Sequence, residues 1–223
     1  MNVTTKQKNK REWIIPALLI VLSLVPVIAG SARLTELASH AEVTEENARF
    51  FNSPIPVVIH IVSITFYSLL GALQFAPAFR RKKTRWHRMV GKWILVPCGI
   101  AAALSGLWMS QFYKLPATDG ELLYVFRLIF GIGMLTSIIL GAFAARRRDF
   151  SSHGNWMMRG YAIGMGAGTQ VFTHVPWLIL FGPPDEFTRA MLMAAGWVIN
   201  LAVVEWIIYR KQAQKAQPSL TYA

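Results

Sequence analysis

The sequence predicts an all-α fold, a polytopic membrane bundle of six transmembrane helices with both termini cytoplasmic. Three observations predict it. Hydrophobic residues make up 54% of the 223 positions and charged ones only 15%, against about a quarter in soluble domains. The apolar residues come in long blocks with the charges squeezed between them, giving a mean hydropathy of +0.39. With six crossings the charges also sort by side: 18 Lys and Arg share one side with 3 acidic residues, leaving 5 and 8 on the other. That bias places the basic side in the cytoplasm.

About 20 apolar residues cross the ~30 Å hydrocarbon layer. Six stretches are long enough: 13–32, 54–79, 89–113, 122–145, 156–181 and 190–209. Residues 1–12 read as a basic cytoplasmic tail, 13–209 as the six-helix transmembrane domain and 210–223 as a cytoplasmic C-terminal tail. The first stretch has the basic start and small residues (Ala29 to Ala32) of a cleavable signal. Its apolar run exceeds the usual signal length, so it reads as a retained helix. The connections are short, so neighbouring helices should pair as antiparallel hairpins. The longest exposed piece, 33–53, carries Glu36, Glu42, Glu45 and Glu46 and reads as a polar or amphipathic excursion.

A formal net charge of +12 would suggest a nucleic-acid partner in a soluble chain. Sorted by side it becomes a topology signal, and the partner it implies is the lipid bilayer rather than nucleic acid. The single cysteine, Cys98, excludes an internal disulfide framework, a Cys-rich zinc site and c-type haem attachment. No H-E-x-x-H, phosphate-binding glycine loop or G-x-S-x-G is present. Whether the protein is an enzyme is left open by its motifs.

Ionisable groups within the bilayer are costly and therefore candidates for function. His60 lies six residues into the second stretch, Arg127 five into the fourth, and His174 seven before the end of the fifth. All three then sit at one level, roughly 8–10 Å beneath the outer surface at the usual helical rise. Two imidazoles facing each other across a bundle can hold the iron of a b-type haem, with an arginine for its propionates. Gly160, Gly164 and Gly168 would form a smooth face for a macrocycle or for another helix. The plainer alternatives are histidines bonded to Ser63, Thr173 or a carbonyl, ordinary glycine packing, and an Arg127 that snorkels to water.

A second pair, His87 and His153, lies at the inner level, each seven residues after the first arginine of a basic run. The second-to-third and fourth-to-fifth hairpins thus suggest a parallel repeat with a 66-residue offset. This pair could hold a second haem, or simply cap helices and meet headgroups. From His153 to His174 is 21 residues, or ~31 Å along one helix, a long step for electrons. Gln74 could serve the inner site or a neighbouring helix, and Gln170 could orient His174. Asn200 reads as interhelical glue, Glu205 as a partner for Arg210 or a loop arginine, His40 as solvated, and Cys98 as a small hydrophobe.

Three motifs, Gly71-Ala72-Leu73-Gln74-Phe75, Trp86-His87-Arg88-Met89-Val90-Gly91 and His153-Gly154-Asn155-Trp156-Met157-Met158-Arg159, resemble those of a bacterial family of predicted membrane proteins of unknown function. The resemblance implies a six- or seven-helix integral membrane protein with no established activity, and the expected location is the bacterial cytoplasmic membrane. More distantly, four histidines in two levels resemble two-haem transmembrane b-type cytochromes. The functional expectation is a b-type haem protein taking electrons from a quinol or another small reductant. The alternative is a haem-free transporter, assembly factor or structural membrane protein.

Overall fold

Long uncharged apolar runs close their backbone hydrogen bonds within helices, because lipid offers no other partner. The computed structural model describes residues 3–216, which are mostly helical with no strand among them. Its helices are α1 (Val3–Ala38), α2 (Ala48–Asn52), α3 (Pro54–Gln74), α4 (Pro77–Lys82), α5 (Thr84–Val90), α6 (Val96–Phe112), α7 (Gly120–Arg146), α8 (Phe150–Gly164), α9 (Gly166–Phe181) and α10 (Glu186–Ala216). A π-helical turn, Gly91–Leu95, joins α5 to α6, and a 3-10 turn, Ala117–Asp119, precedes α7.

Among the described residues, five helices are long and apolar enough to cross a membrane: Glu12–Ala38, Pro54–Gln74, Thr84–Phe112, Gly120–Arg146 and Glu186–Lys215. The stretch expected as a fifth continuous crossing, 156–181, is instead split between α8 and α9, of 15 and 16 residues. The break falls at Met165, whose φ of −81° and ψ of 0° close α8 and begin α9. The cause is local: Gly160, Gly164, Gly166 and Gly168 crowd this segment, and glycine is a poor helix former.

Other boundaries move outward. The helix α1 starts at Val3, inside the expected N-terminal tail, and runs to Ala38, inside the expected polar excursion. Helix α10 runs to Ala216, taking in 210–216 of the expected C-terminal tail, whose remainder, 217–223, lies outside the described residues. Conversely, the second crossing ends at Gln74 rather than 79. Pro77 then starts a short new helix, as proline tolerates only the first turn.

The long helices α1, α3, α6, α7, α10 and α9 pack in that order into a closed ring. Helix α8 packs on α7, α10 and α3 and so fills one half of the ring. This is the half where the basic residues at 80–92, 146–148 and 210–211 lie, called the basic end below. At Met165 the crossing leaves the interior and enters the ring wall, where α9 lies between α1 and α10. The main core therefore sits around α8, built from Tyr67, Ala102, Met134, Ile138, Tyr161, Ile163 and Met165. A smaller cluster, Val57, Ile61 and Tyr113, closes the far end.

The break also divides the glycine ladder. A Cβ on Gly160 or Gly164 would meet Ile138, Tyr67 or Met134, whereas one on Gly168 would lie 2.3 Å from the backbone oxygen of Leu22 in α1. The ladder therefore serves two packing seams and not one continuous face. Outward, Ile15, Leu18, Ile55, Trp93, Ile179 and Leu180 are exposed. A belt of that kind suits lipid and would be costly in water.

Candidate functional site

Because α8 stops at Gly164, the far half of the ring keeps an unfilled centre. It is a cavity of about 430 Å³ that runs from the loops at the far end to the helix break. Its walls are apolar, with Val27, Ile64, Leu107, Phe130 and Met134, and its floor is formed by Ile163, Gly164 and Met165. Trp197, stacked on Phe130 at 4.7 Å, belongs to the wall. Ser68 and Gln170 bring polar atoms to the deep part, His60 lies in the wall, and Arg49, Asp119 and Arg127 stand at the mouth. Small-molecule sites commonly have this make-up, an apolar cavity with a few polar groups.

The mouth is organised by Asp119, only 2% exposed. Arg127 Nη2 donates to its Oδ2 and Arg189 Nε to its Oδ1, both at 2.8 Å. Burial alone would raise this carboxyl, but the hydrogen bonds and charges of Arg189 and Arg127 hold it below the usual aspartate value. One carboxylate thus serves two guanidinium groups. Arg33 forms an ion pair with Glu36. Arg49 donates to the carbonyl of Lys114, and both Arg49 and Arg33 lie over the Phe50 ring. Of the charged residues in the cavity lining, Arg49 and Arg127 are cationic and Asp119 is anionic. Most telling, Arg127 Nη1 is buried and has no hydrogen-bond partner.

Histidine tautomers follow from their acceptors. His60 Nδ1 lies 2.9 Å from the carbonyl oxygen of Ala102, His174 Nδ1 2.9 Å from that of Gln170, and His153 Nδ1 2.9 Å from that of Gly141. A carbonyl only accepts, so each Nδ1 carries a proton, and in the neutral imidazole Nε2 is the nitrogen that presents a lone pair. His174 Nε2 is buried with no partner, and so is His87 Nδ1.

The residues singled out in the sequence are sorted by this geometry. His60 and Arg127 share the cavity lining, on α3 and α7. His174 is not among the lining residues, and its helix packs on α1, α8 and α10 while α3 packs on α1, α6 and α8. His87 and His153, from α5 and α8, are close enough to interact electrostatically at the basic end. Asp149, not His153, caps α8, its side chain accepting from Ser152 N. Among the described residues, no group of three or more His, Cys, Asp and Glu is placed to hold a metal ion.

Several secondary residues find definite partners. Asn200 Nδ2 donates to Ala162 O and Asn200 Oδ1 accepts from Thr169, tying α10 to α8 and α9. Glu205 pairs with Arg159 rather than Arg210, at 2.5 and 2.8 Å. Gln170 assists His174 through its backbone oxygen, while its side chain donates to Met193 O. Gln74 has both amide atoms buried and unpartnered. Sequence reasoning missed Asp119 and Arg189 as parts of the mouth. They lie in a turn and at a helix start, where their only visible role was in counting charge by side.

Residues 57–208 match the family model described as a predicted membrane protein, DUF2306. No curated protein and no solved structure matches the chain.

Proposed function

The chain belongs to DUF2306, a family of predicted membrane proteins of unknown function, and we propose that it binds amphipathic organic anions in the cavity at its far end. The observation that carries this reading is Arg127, whose Nη1 is buried without a partner in the cavity lining. A buried guanidinium nitrogen left unpaired costs stability, and a carboxylate or phosphate is the partner its planar fork suits. In the lining itself Arg49 and Arg127 face one carboxylate, Asp119, and the apolar walls below accept a hydrocarbon body. The volume lies within the ~300–1,000 Å³ of ordinary ligand sites. In this reading α8 and α9 together make a sixth crossing, both termini are cytoplasmic, and the cavity faces the outside of a bacterial cytoplasmic membrane.

Trp197 in the wall supplies the assay. Octyl phosphate titrated into the purified protein should change tryptophan fluorescence saturably, and octanol should bind more than about 10-fold more weakly. Equal response to octanol and octyl phosphate would remove the basis for an anionic head group.

A second reading is a b-type haem redox protein oxidising a quinol or another small reductant. One observation favours it: His60 and His174 each give Nδ1–H to a backbone carbonyl, the arrangement an iron-ligating imidazole adopts, although His174 lies outside the cavity lining and would have to move to share an iron with His60. Arg127 would then hold a propionate. Sharp low-spin bands on dithionite reduction, lost in His60→Ala and in His174→Ala, support it; colourless protein from haem-supplemented cells counts against it.

A further inference from the structure

Of the polar groups lining the cavity, His60 has no part in holding an anionic head group at Arg127. Helix α3 turns Ile55, Val58, Ile59, Val62 and Phe66 outward, where they are exposed. His60, Ile61, Ile64, Thr65 and Ser68 form its inner stripe and line the cavity. His60 Nδ1 gives its proton to Ala102 O at 2.9 Å. Ser105 Oγ lies 3.3 Å from the same nitrogen, but its own proton goes to carbonyls of its helix, with Ala101 O at 2.6 Å and Ala102 O at 3.1 Å. In the neutral ring the lone pair is therefore on Nε2. That atom bonds to no described residue and, unlike Nε2 of His174, is not closed off by its surroundings. From the inner stripe, the space it opens onto is the cavity.

Neighbouring hydroxyls are alike in this. Ser23, Ser68 and Ser110, also in the lining, give their protons to the carbonyls of Ile20, Thr65 and Gly106. Such groups offer a guest lone pairs, so the guest must bring the proton. Contacts between helices set the height of the His60 ring. A Cβ on Gly106 would lie 3.2 Å from His60 Cε1, and one on Gly131 would lie 2.7 Å from the side chain of Leu107, the residue after Gly106. The ring thus stands near the level of Gly131, four residues or ~6 Å along α7 from Arg127 and deeper in the cavity. The guanidinium of Arg127 reaches the other way, to Asp119 at the N-cap of α7. An anion held there lies above the ring, with a length of chain between them. We propose that the ligand is a hydroxylated amphipathic anion whose chain hydroxyl donates a hydrogen bond to His60 Nε2. This rests on the reading of the cavity as an anion site and adds the chemistry of the chain. Against a plain hydrocarbon, the Nε2 lone pair would be buried unpaired, which costs binding.

The test is calorimetry on the full chain in detergent with octyl phosphate, 8-hydroxyoctyl phosphate and 8-methoxyoctyl phosphate. A hydroxyl moved from water into an apolar site that cannot bond it weakens binding by about 10-fold or more. With His60 as acceptor, the hydroxy compound should instead bind within about 3-fold of octyl phosphate, or more tightly. The methoxy compound keeps the oxygen but has no proton to give, so it should bind at least about 10-fold more weakly than the hydroxy compound. In His60→Phe, which keeps a ring without an acceptor, the affinity of the hydroxy compound relative to octyl phosphate should fall about 10-fold. Circular dichroism checks the fold of this variant, and the methoxy comparison decides the matter in the wild type without it. A hydroxy compound more than about 10-fold weaker than octyl phosphate overturns the chain hydroxyl and leaves the anion site standing. Equal binding of the hydroxy and methoxy compounds, or an unchanged ratio in well-folded His60→Phe, overturns it too. Failure of all three compounds to bind overturns the anion site and this inference together.

Discussion

Replacing Asp119 with asparagine removes one charge and leaves the shape of the mouth intact. The carboxylate is almost wholly buried and receives Arg127 and Arg189 at 2.8 Å each, so it fastens the start of α7 to the start of α10. Removing one partner of a buried ion pair costs about 3–5 kcal/mol. Here the arginine side chains are 20% and 32% exposed and regain some hydration, so about 2–3 kcal/mol is expected. Thermal unfolding of detergent-solubilised protein at pH 7 should show a midpoint lowered by several degrees. The pH dependence gives a second check. The folded-state carboxyl titrates below its ordinary value, so its stabilisation is complete above the unfolded value of about 4 and is lost as pH falls through the folded one. The gap between wild type and Asp119→Asn should therefore close in acid. A variant within about 0.5 kcal/mol of wild type at pH 7, or a gap that widens as pH falls, would refute this account of the mouth.

Other predictions concern packing and the basic end. Gly168→Ala places a Cβ 2.3 Å from the Leu22 backbone oxygen, so α1 must move off α9; a loss of about 1–3 kcal/mol in chemical unfolding is expected. Gly154→Ala is its control: nothing lies within 4 Å, and helix propensity predicts a change between zero and a gain of about 1 kcal/mol. Glu205→Gln breaks the Arg159 pair, but Glu205 is 50% exposed, so the same assay should show a loss below about 1 kcal/mol.

Much of this architecture is legible in the chain because lipid imposes a coarse rule: a crossing needs about 20 apolar residues, and blocks of that length stand out. The three motifs likewise pointed to the family to which residues 57–208 belong. The break at Met165 was not legible, since a glycine-rich apolar run reads the same as one helix or two. Yet that break moves the fifth stretch from the ring centre to its wall and opens the cavity. Depth could be read from residue counts, azimuth could not. His60 and His174 were assigned one level, but α3 and α9 each pack on α1 and only His60 lines the cavity. His87 and His153, suggested as partners by the spacing of two basic runs, do come into electrostatic reach. Asp119 went unnoticed because its importance lies in two arginines, one 8 and one 70 residues away along the chain.

The cavity's role depends most directly on Arg127, and calorimetry of octyl phosphate binding to wild type and Arg127→Gln tests it. A hydrogen bond between charged groups contributes about 1.5–3 kcal/mol, so the variant should bind roughly 10- to 100-fold more weakly. Octanol should bind the two proteins alike. Equal affinity of wild type and a well-folded Arg127→Gln for octyl phosphate would contradict the assignment of this cavity to an amphipathic anion.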